Sequence, residues 1–105
     1  MMSFNPVIKG SYTLVAPQSV SVAASSSSPV SISFTPLGAG ELYVYITLPS
    51  GVSASISIGG QSVSLANGSN QFLIPANTPI GNITINNSNT TAVSVVVWVL
   101  FIEVA

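Results

Sequence analysis

The chain reads as all-β: a single antiparallel β-sandwich of about eight strands, with a jelly-roll or immunoglobulin-like Greek key. Three observations predict it. Apolar and small polar residues alternate in run after run, the period of a strand with one buried face. Turn residues fall between those runs. No stretch joins helical spacing to good helix formers, whereas the β-branched residues favoured in strands are abundant.

Taken in order, strands are expected near 11–15 and 19–24, the second around Val20-Ser21-Val22. Ser25 to Pro29 reads as a polar linker, and Val30-Ser31-Ile32-Ser33-Phe34 as a strand over 30–35. The loop Pro36 to Gly40 follows. In 41–48, Leu42, Val44, Ile46 and Leu48 share one face, with Tyr43, Tyr45 and Thr47 on the other. Pro49-Ser50-Gly51 is a tight turn before the alternating run 52–58. Gly59-Gly60 then separates 52–58 from 61–65 by two residues, the spacing of a hairpin with a primed turn. Asn67-Gly68 and the cluster Asn86 to Thr90 are further turns, around strands at 71–74 and 80–85. The last strand, 92–104, contains AVSVVVWVLFI and is apolar on both faces from Val95 onward.

Two readings of that last strand compete. It is a central strand buried on both faces, or covered on its outer face by a loop, since such strands read as apolar runs. Alternatively, the face bearing Val96, Trp98, Leu100 and Ile102 packs against a neighbouring subunit. A transmembrane β-strand is long enough at about 10 residues, but the other strands lack aromatic girdles. No apolar run approaches the roughly 20 residues of a spanning helix, so no membrane span is expected.

Composition narrows the function. The chain has 105 residues, one domain's worth. Lys9, Glu41 and Glu103 are its only charged side chains, 3% of the sequence, for a net charge of −1. A surface of hydroxyls and amides hardly titrates between about pH 5 and 10. It also lacks the self-repulsion that keeps molecules apart. Both properties suit a dense assembly or a harsh medium such as an acidic hot spring. One basic side chain is too few for direct nucleic-acid contact, which draws on several phosphate contacts. The opening MMSFNPVIKG has no positive region before a long apolar run, so no signal peptide is expected, and the paired methionines fit a retained translational start.

Catalysis is not expected. His, Cys, Asp and Arg are absent. General acid–base work would fall to Glu41 and Glu103, which lie on different expected strands. A serine nucleophile would have only Lys9 as its base. Metal ligands are lacking, Gly38-Ala39-Gly40 has no phosphate-loop context, and no cofactor is expected.

Four sequons offer candidate N-glycosylation sites at Asn67, Asn82, Asn86 and Asn89, mostly at turns, which marks one end of the domain as solvent-facing. Tyr12, Tyr43, Tyr45 and Trp98 are candidates for stacking on surface glycans; the plainer reading makes Tyr43 and Tyr45 ordinary cross-strand neighbours.

The runs VSISF, LYVYITL and VSASISIG and the closing VSVVVWVLFIEV make the chain resemble small β-sandwich virion proteins. These are single jelly-roll capsid, turret, penton or decoration subunits, including those of viruses of thermophilic archaea. The resemblance covers most of the chain and involves no diagnostic motif. It departs at Gly59-Gly60, where the hairpin puts neighbours in one sheet and keeps an immunoglobulin-like key open. It implies a structural protein of a virion, a homo-oligomer or a binder of other coat proteins, and the sequons add the expectation of a glycoprotein. Residues 1–10, including Phe4, are expected to form an arm reaching a neighbour, and 11–105 the sandwich. The alternatives are an extracellular or cell-surface filament or adhesion subunit that donates Phe4 to Val15 as a strand, and a carbohydrate-binding module.

Overall fold

The structure is a computed structural model that describes residues 9–104. It contains eight strands: β1 (Gly10–Val22), β2 (Ser26–Val30), β3 (Gly40–Ile46), β4 (Val52–Ile58), β5 (Gln61–Ser64), β6 (Gly68–Ile74), β7 (Ile80–Asn87) and β8 (Val93–Glu103). No helix among the described residues is long and apolar enough to cross a membrane.

The topology grows from one turn. Gly59 and Gly60 have φ of 59° and 79°, and Ile58 pairs with Gln61 across them. Positive φ at both central positions matches the twist of the flanking strands, which is why glycine fits there. From this tip the chain doubles back on itself. β4 pairs with β5, β3 with β6, β2 with β7 and β1 with β8, all antiparallel. The long double ribbon then rolls up, so that β8 also pairs with β3 and β7 with β4. The result is two four-stranded sheets, β1-β8-β3-β6 (sheet A) and β2-β7-β4-β5 (sheet B). That order is a jelly roll. The in-sheet hairpin that kept an immunoglobulin-like key open is the hinge of this roll.

Alternation builds the core. Leu42, Val44 and Ile46 of β3, with Val95, Val97, Val99 and Phe101 of β8, point inward from sheet A. Ala54 and Ile56 of β4, with Ile83 and Ile85 of β7, meet them from sheet B. Each large side chain so enclosed contributes about 1.5–3 kcal/mol. Asn87 is the buried polar side chain among the described residues. Its Nδ2 donates to the carbonyls of Val22, Ala23 and Thr91, and its Oδ1 accepts from the Asn89 N–H. Asn87 thereby ties the end of β1 to the β7–β8 turn.

Three segments differ from expectation. The strands expected at 11–15 and 19–24 are one strand, β1. Its register breaks between Thr13 and Val15 and again between Val15 and Gln18. Pro17 sits in that irregularity on an edge strand, where a missing N–H is tolerated. The linker expected at Ser25 to Pro29 is mostly β2, an edge strand paired with β7. Its serines carry no apolar period to announce it. Conversely, the strand expected at 30–35 ends its ladder at Val30. Ile32 stays buried, with its N–H on Asn82 Oδ1, and Phe34 makes a single bridge to Ile80. There the period reported side-chain direction, not pairing.

Lys9 and Gly10 already join sheet A: the Lys9 N–H reaches the Glu103 carbonyl at 2.8 Å, and Gly10 pairs with Glu103. The rest of the expected arm, Phe4 included, lies outside the described residues.

Candidate functional site

The most distinctive surface is the outer face of sheet A. β8 is central, flanked by β1 and β3, so its inner residues are sealed and its outer ones stand in a row. Val95, Val97, Val99 and Phe101 are fully buried, whereas Val96 is 38% and Trp98 44% exposed. Leu100 and Ile102 are half-buried. Burial of β8 on both faces, or under a loop, is therefore wrong. The apolar run that suggested it is a one-sided strand whose open face is also apolar.

Register aligns this row with β3 and β6. Trp98 pairs with Tyr45, Leu100 with Tyr43, and Ile102 with Glu41. On the far side of β3, Ser69, Gln71 and Leu73 of β6 face Tyr45, Tyr43 and Glu41. Val96 is held beside Thr47, whose Oγ1 accepts the Val96 N–H at 2.9 Å. Tyr43, Tyr45, Ser69, Trp98 and Leu100 line a shallow groove of about 250 Å³. The sequence singled out the β8 row and, separately, the two tyrosines. It did not show that they form one surface, because that depends on β3 pairing with β8.

At one end the face carries a carboxylate. Glu41 accepts a hydrogen bond from the Tyr43 hydroxyl and another from Gln71 Nε2 at 3.1 Å. The first of these, then burial, then the negative charge itself push the Tyr43 phenol above its ordinary value of 10.0. The carboxylate on the face is thus tethered at its rim.

The charged residues share one end of the domain but do not form a site. Glu103 pairs with Gly40, next to Glu41 along the ladder, yet alternation turns the two carboxylates to opposite faces of sheet A. Glu103 faces the Tyr12 hydroxyl at 3.5 Å. Among the described residues no three His, Cys, Asp or Glu side chains come together.

Tyr12 remains 40% exposed but stands apart from Tyr43, Tyr45 and Trp98. Its ring packs on Phe34 (5.2 Å between centroids) and Phe101 (6.4 Å), closing the end of the core. Asn67 and Asn89 lie in turns and Asn82 within β7, in the strand expected at 80–85, whereas Asn86 lies in β7 and not in the turn expected from 86 to 90. Asn67 Oδ1 accepts the Leu48 N–H at 2.8 Å, and Asn89 Nδ2 donates to the Ser50 carbonyl at 2.9 Å. Asn86 Oδ1 meets the Ser27 hydroxyl.

No protein-family model matches the chain, and no curated protein does. Its backbone is similar to that of the C-terminal domain of a structural protein from Sulfolobus turreted icosahedral virus. The identity is 23% over 90% of this chain and 100% of that domain, with a TM-score of 0.48. It is also similar to a de novo designed double-stranded β-helix, at 17% identity over 81% of this chain and 99% of that one, with a TM-score of 0.44.

Proposed function

We propose that this chain is a structural subunit of a virus particle that works by laying the outer face of sheet A against another copy of itself or another coat protein. The observation that carries this reading is the row Val96, Trp98, Leu100 and Ile102 with Tyr43 and Tyr45 beside it, left open to solvent on a central part of the sheet. Folding does not need that row, because the core is complete on the other side. Contact with a second protein would put it to use, and enrichment in large aromatics is the mark of such contacts. The near-absence of charge supports the reading, since two such faces meet with little repulsion and the Glu41 carboxylate lies at the rim. So does the placement of Glu41 and Glu103, which turn to opposite faces of sheet A and form no carboxylate pair.

Light scattering on the native protein, with Trp98→Lys beside it, tests the proposal. The wild type is expected to be larger than one chain and the variant to be smaller than the wild type while keeping its β-sheet circular dichroism. A wild type that stays monomeric at high concentration overturns the reading. Negative-stain microscopy separates shells and particles from the filaments a surface-fibre subunit would give.

One observation favours a second reading, a glycan platform: Tyr45 and Trp98 are adjacent, both more than two-fifths exposed, and border a groove. Trp98 is the single tryptophan, so its fluorescence reports any sugar that stacks there. A monomer whose emission shifts on adding soluble oligosaccharides would replace the assembly reading with this one.

A further inference from the structure

Four strands edge the two sheets, and three of them are blunted. β1 carries Pro17 and two register breaks. β2 has five residues including Pro29, and β5 has four. These are the devices by which sheet proteins avoid edge-to-edge pairing. β6 has none of them. Its seven residues, Gly68–Ile74, contain no proline and no charge, and they pair with β3 without a register break. Among the described residues its other side meets no strand, and Leu73 is 79% exposed.

We propose that β6 is a self-pairing seam: it takes β6 of a second copy, antiparallel, about a two-fold axis through Gln71. A two-fold joins identical patches and closes on itself, so the contact ends at a dimer. In this register Gln71 faces its own counterpart, and Ser69 faces Leu73 of the second copy. Asn70 likewise faces Phe72 of the second copy. No charge faces a like charge, because the nearest carboxylate, Glu41, is one strand back and bonded to Tyr43 and Gln71. Leu73, 79% exposed, gains neighbours across the seam. The two A sheets become one of eight strands, and the rows of Trp98 and Tyr45 lie on the same side of it. A second copy is the occupant this edge fits, because it supplies an unbroken, uncharged strand of matching length. The seam uses a different surface from the outer face, and either contact can fail without the other.

The chain has no cysteine, so single introduced cysteines read the register directly. Directly opposed residues of an antiparallel pair have Cα atoms about 4.5–5.5 Å apart, within disulfide reach. Under mild oxidation Gln71→Cys is expected to give a covalent dimer on a non-reducing gel. Ser69→Cys and Leu73→Cys are each expected to stay single alone and to link when mixed. Ser19→Cys, on the blunted β1 edge, is expected to link about tenfold more slowly than Gln71→Cys, since nothing raises its effective concentration. In a Trp98→Lys background the Gln71→Cys link is expected to persist, which separates the seam from the outer face. No link at Gln71, self-linking of Ser69→Cys or Leu73→Cys at the same rate, or loss of the link in the Trp98→Lys background would each overturn the seam.

Discussion

The two sheets turn opposite kinds of surface to the outside. Sheet B shows Ser27, Asn86 and Ser53 in one row across the strands and Pro29, Thr84, Ser55 and Ser64 in the next. Sheet A shows Ile102, Glu41 and Leu73, then Leu100, Tyr43 and Gln71, then Trp98, Tyr45 and Ser69. The inner faces are alike in their Val, Ile and Leu, and both obey the same period. Sheet B therefore demonstrates that the fold is satisfied with hydroxyls and amides outside. The aromatic and aliphatic side chains on sheet A are the exception, and the proposed contact would account for them.

Substitutions along β8 break or sharpen that contrast, beginning with the largest effect. Phe101→Ala removes a fully buried ring between Tyr12 and Phe34 and is expected to cost about 3–5 kcal/mol in a denaturant melt. Trp98→Ala, three residues away on the other face, is expected to cost less than about 1 kcal/mol while reducing assembly. Equal losses of stability would mean that the outer row supports the fold, and the contrast between faces would disappear.

Asn87→Ala sits between these in size. It is expected to cost about 1–3 kcal/mol, because the carbonyls of Val22, Ala23 and Thr91 lose their donor together. Asn87→Asp should do as badly, since a carboxylate offers those carbonyls no N–H. A charge on each outer face makes the sharpest comparison at still smaller cost in stability. Trp98→Lys is expected to lower the mass of the assembly, and Thr84→Lys, exposed on central strand β7, to leave it unchanged by light scattering. Dissociation by Thr84→Lys would move the contact to sheet B.

These residues also mark what was legible in the chain. The inward rows of β3, β4 and β7 were readable because apolar residues alternate with serine, threonine, asparagine and tyrosine, whereas β8 is apolar on both faces and left its burial open. The Gly59-Gly60 hairpin was readable because two positive φ values demand glycine. β2 was not, since Ser26 to Pro29 has no apolar residue to set a phase; β7 beside it supplies the pairing. The union of two segments into β1 was hidden because Pro17 looks like a break and acts as a bulge. Asn87 was indistinguishable from Asn86, as nothing local separates an asparagine that crosslinks carbonyls from one facing solvent. The row on β8 was found by alternation alone. Its merger with Tyr43 and Tyr45 depended on a pairing between strands some fifty residues apart, which no local pattern encodes.

The smallest effect expected concerns the rim of sheet A. The Tyr43 phenol is raised above 10.0 by its hydrogen bond to Glu41, then by burial and by the carboxylate's charge. A phenol whose folded pKa exceeds its unfolded one favours the folded state while neutral. Its contribution is complete below pH 10.0 and is lost as pH climbs through the folded value. Wild-type stability should therefore decline in alkali over the window that begins there. Glu41→Gln removes the carboxylate from two of the three causes, so the phenolate absorbance of Tyr43 should appear at lower pH and the alkaline decline should weaken. Tyr43→Phe supplies the baseline that separates it from the other two tyrosines. Sheet B is the internal control, because Ser, Thr, Asn and Pro make up its outer rows and none of them titrates: Thr84→Val should leave the alkaline limb where it was. If Glu41→Gln leaves the Tyr43 titration unmoved, the carboxylate is not tethered to the aromatic row, and the outer face of sheet A would present a free charge to any partner laid across it.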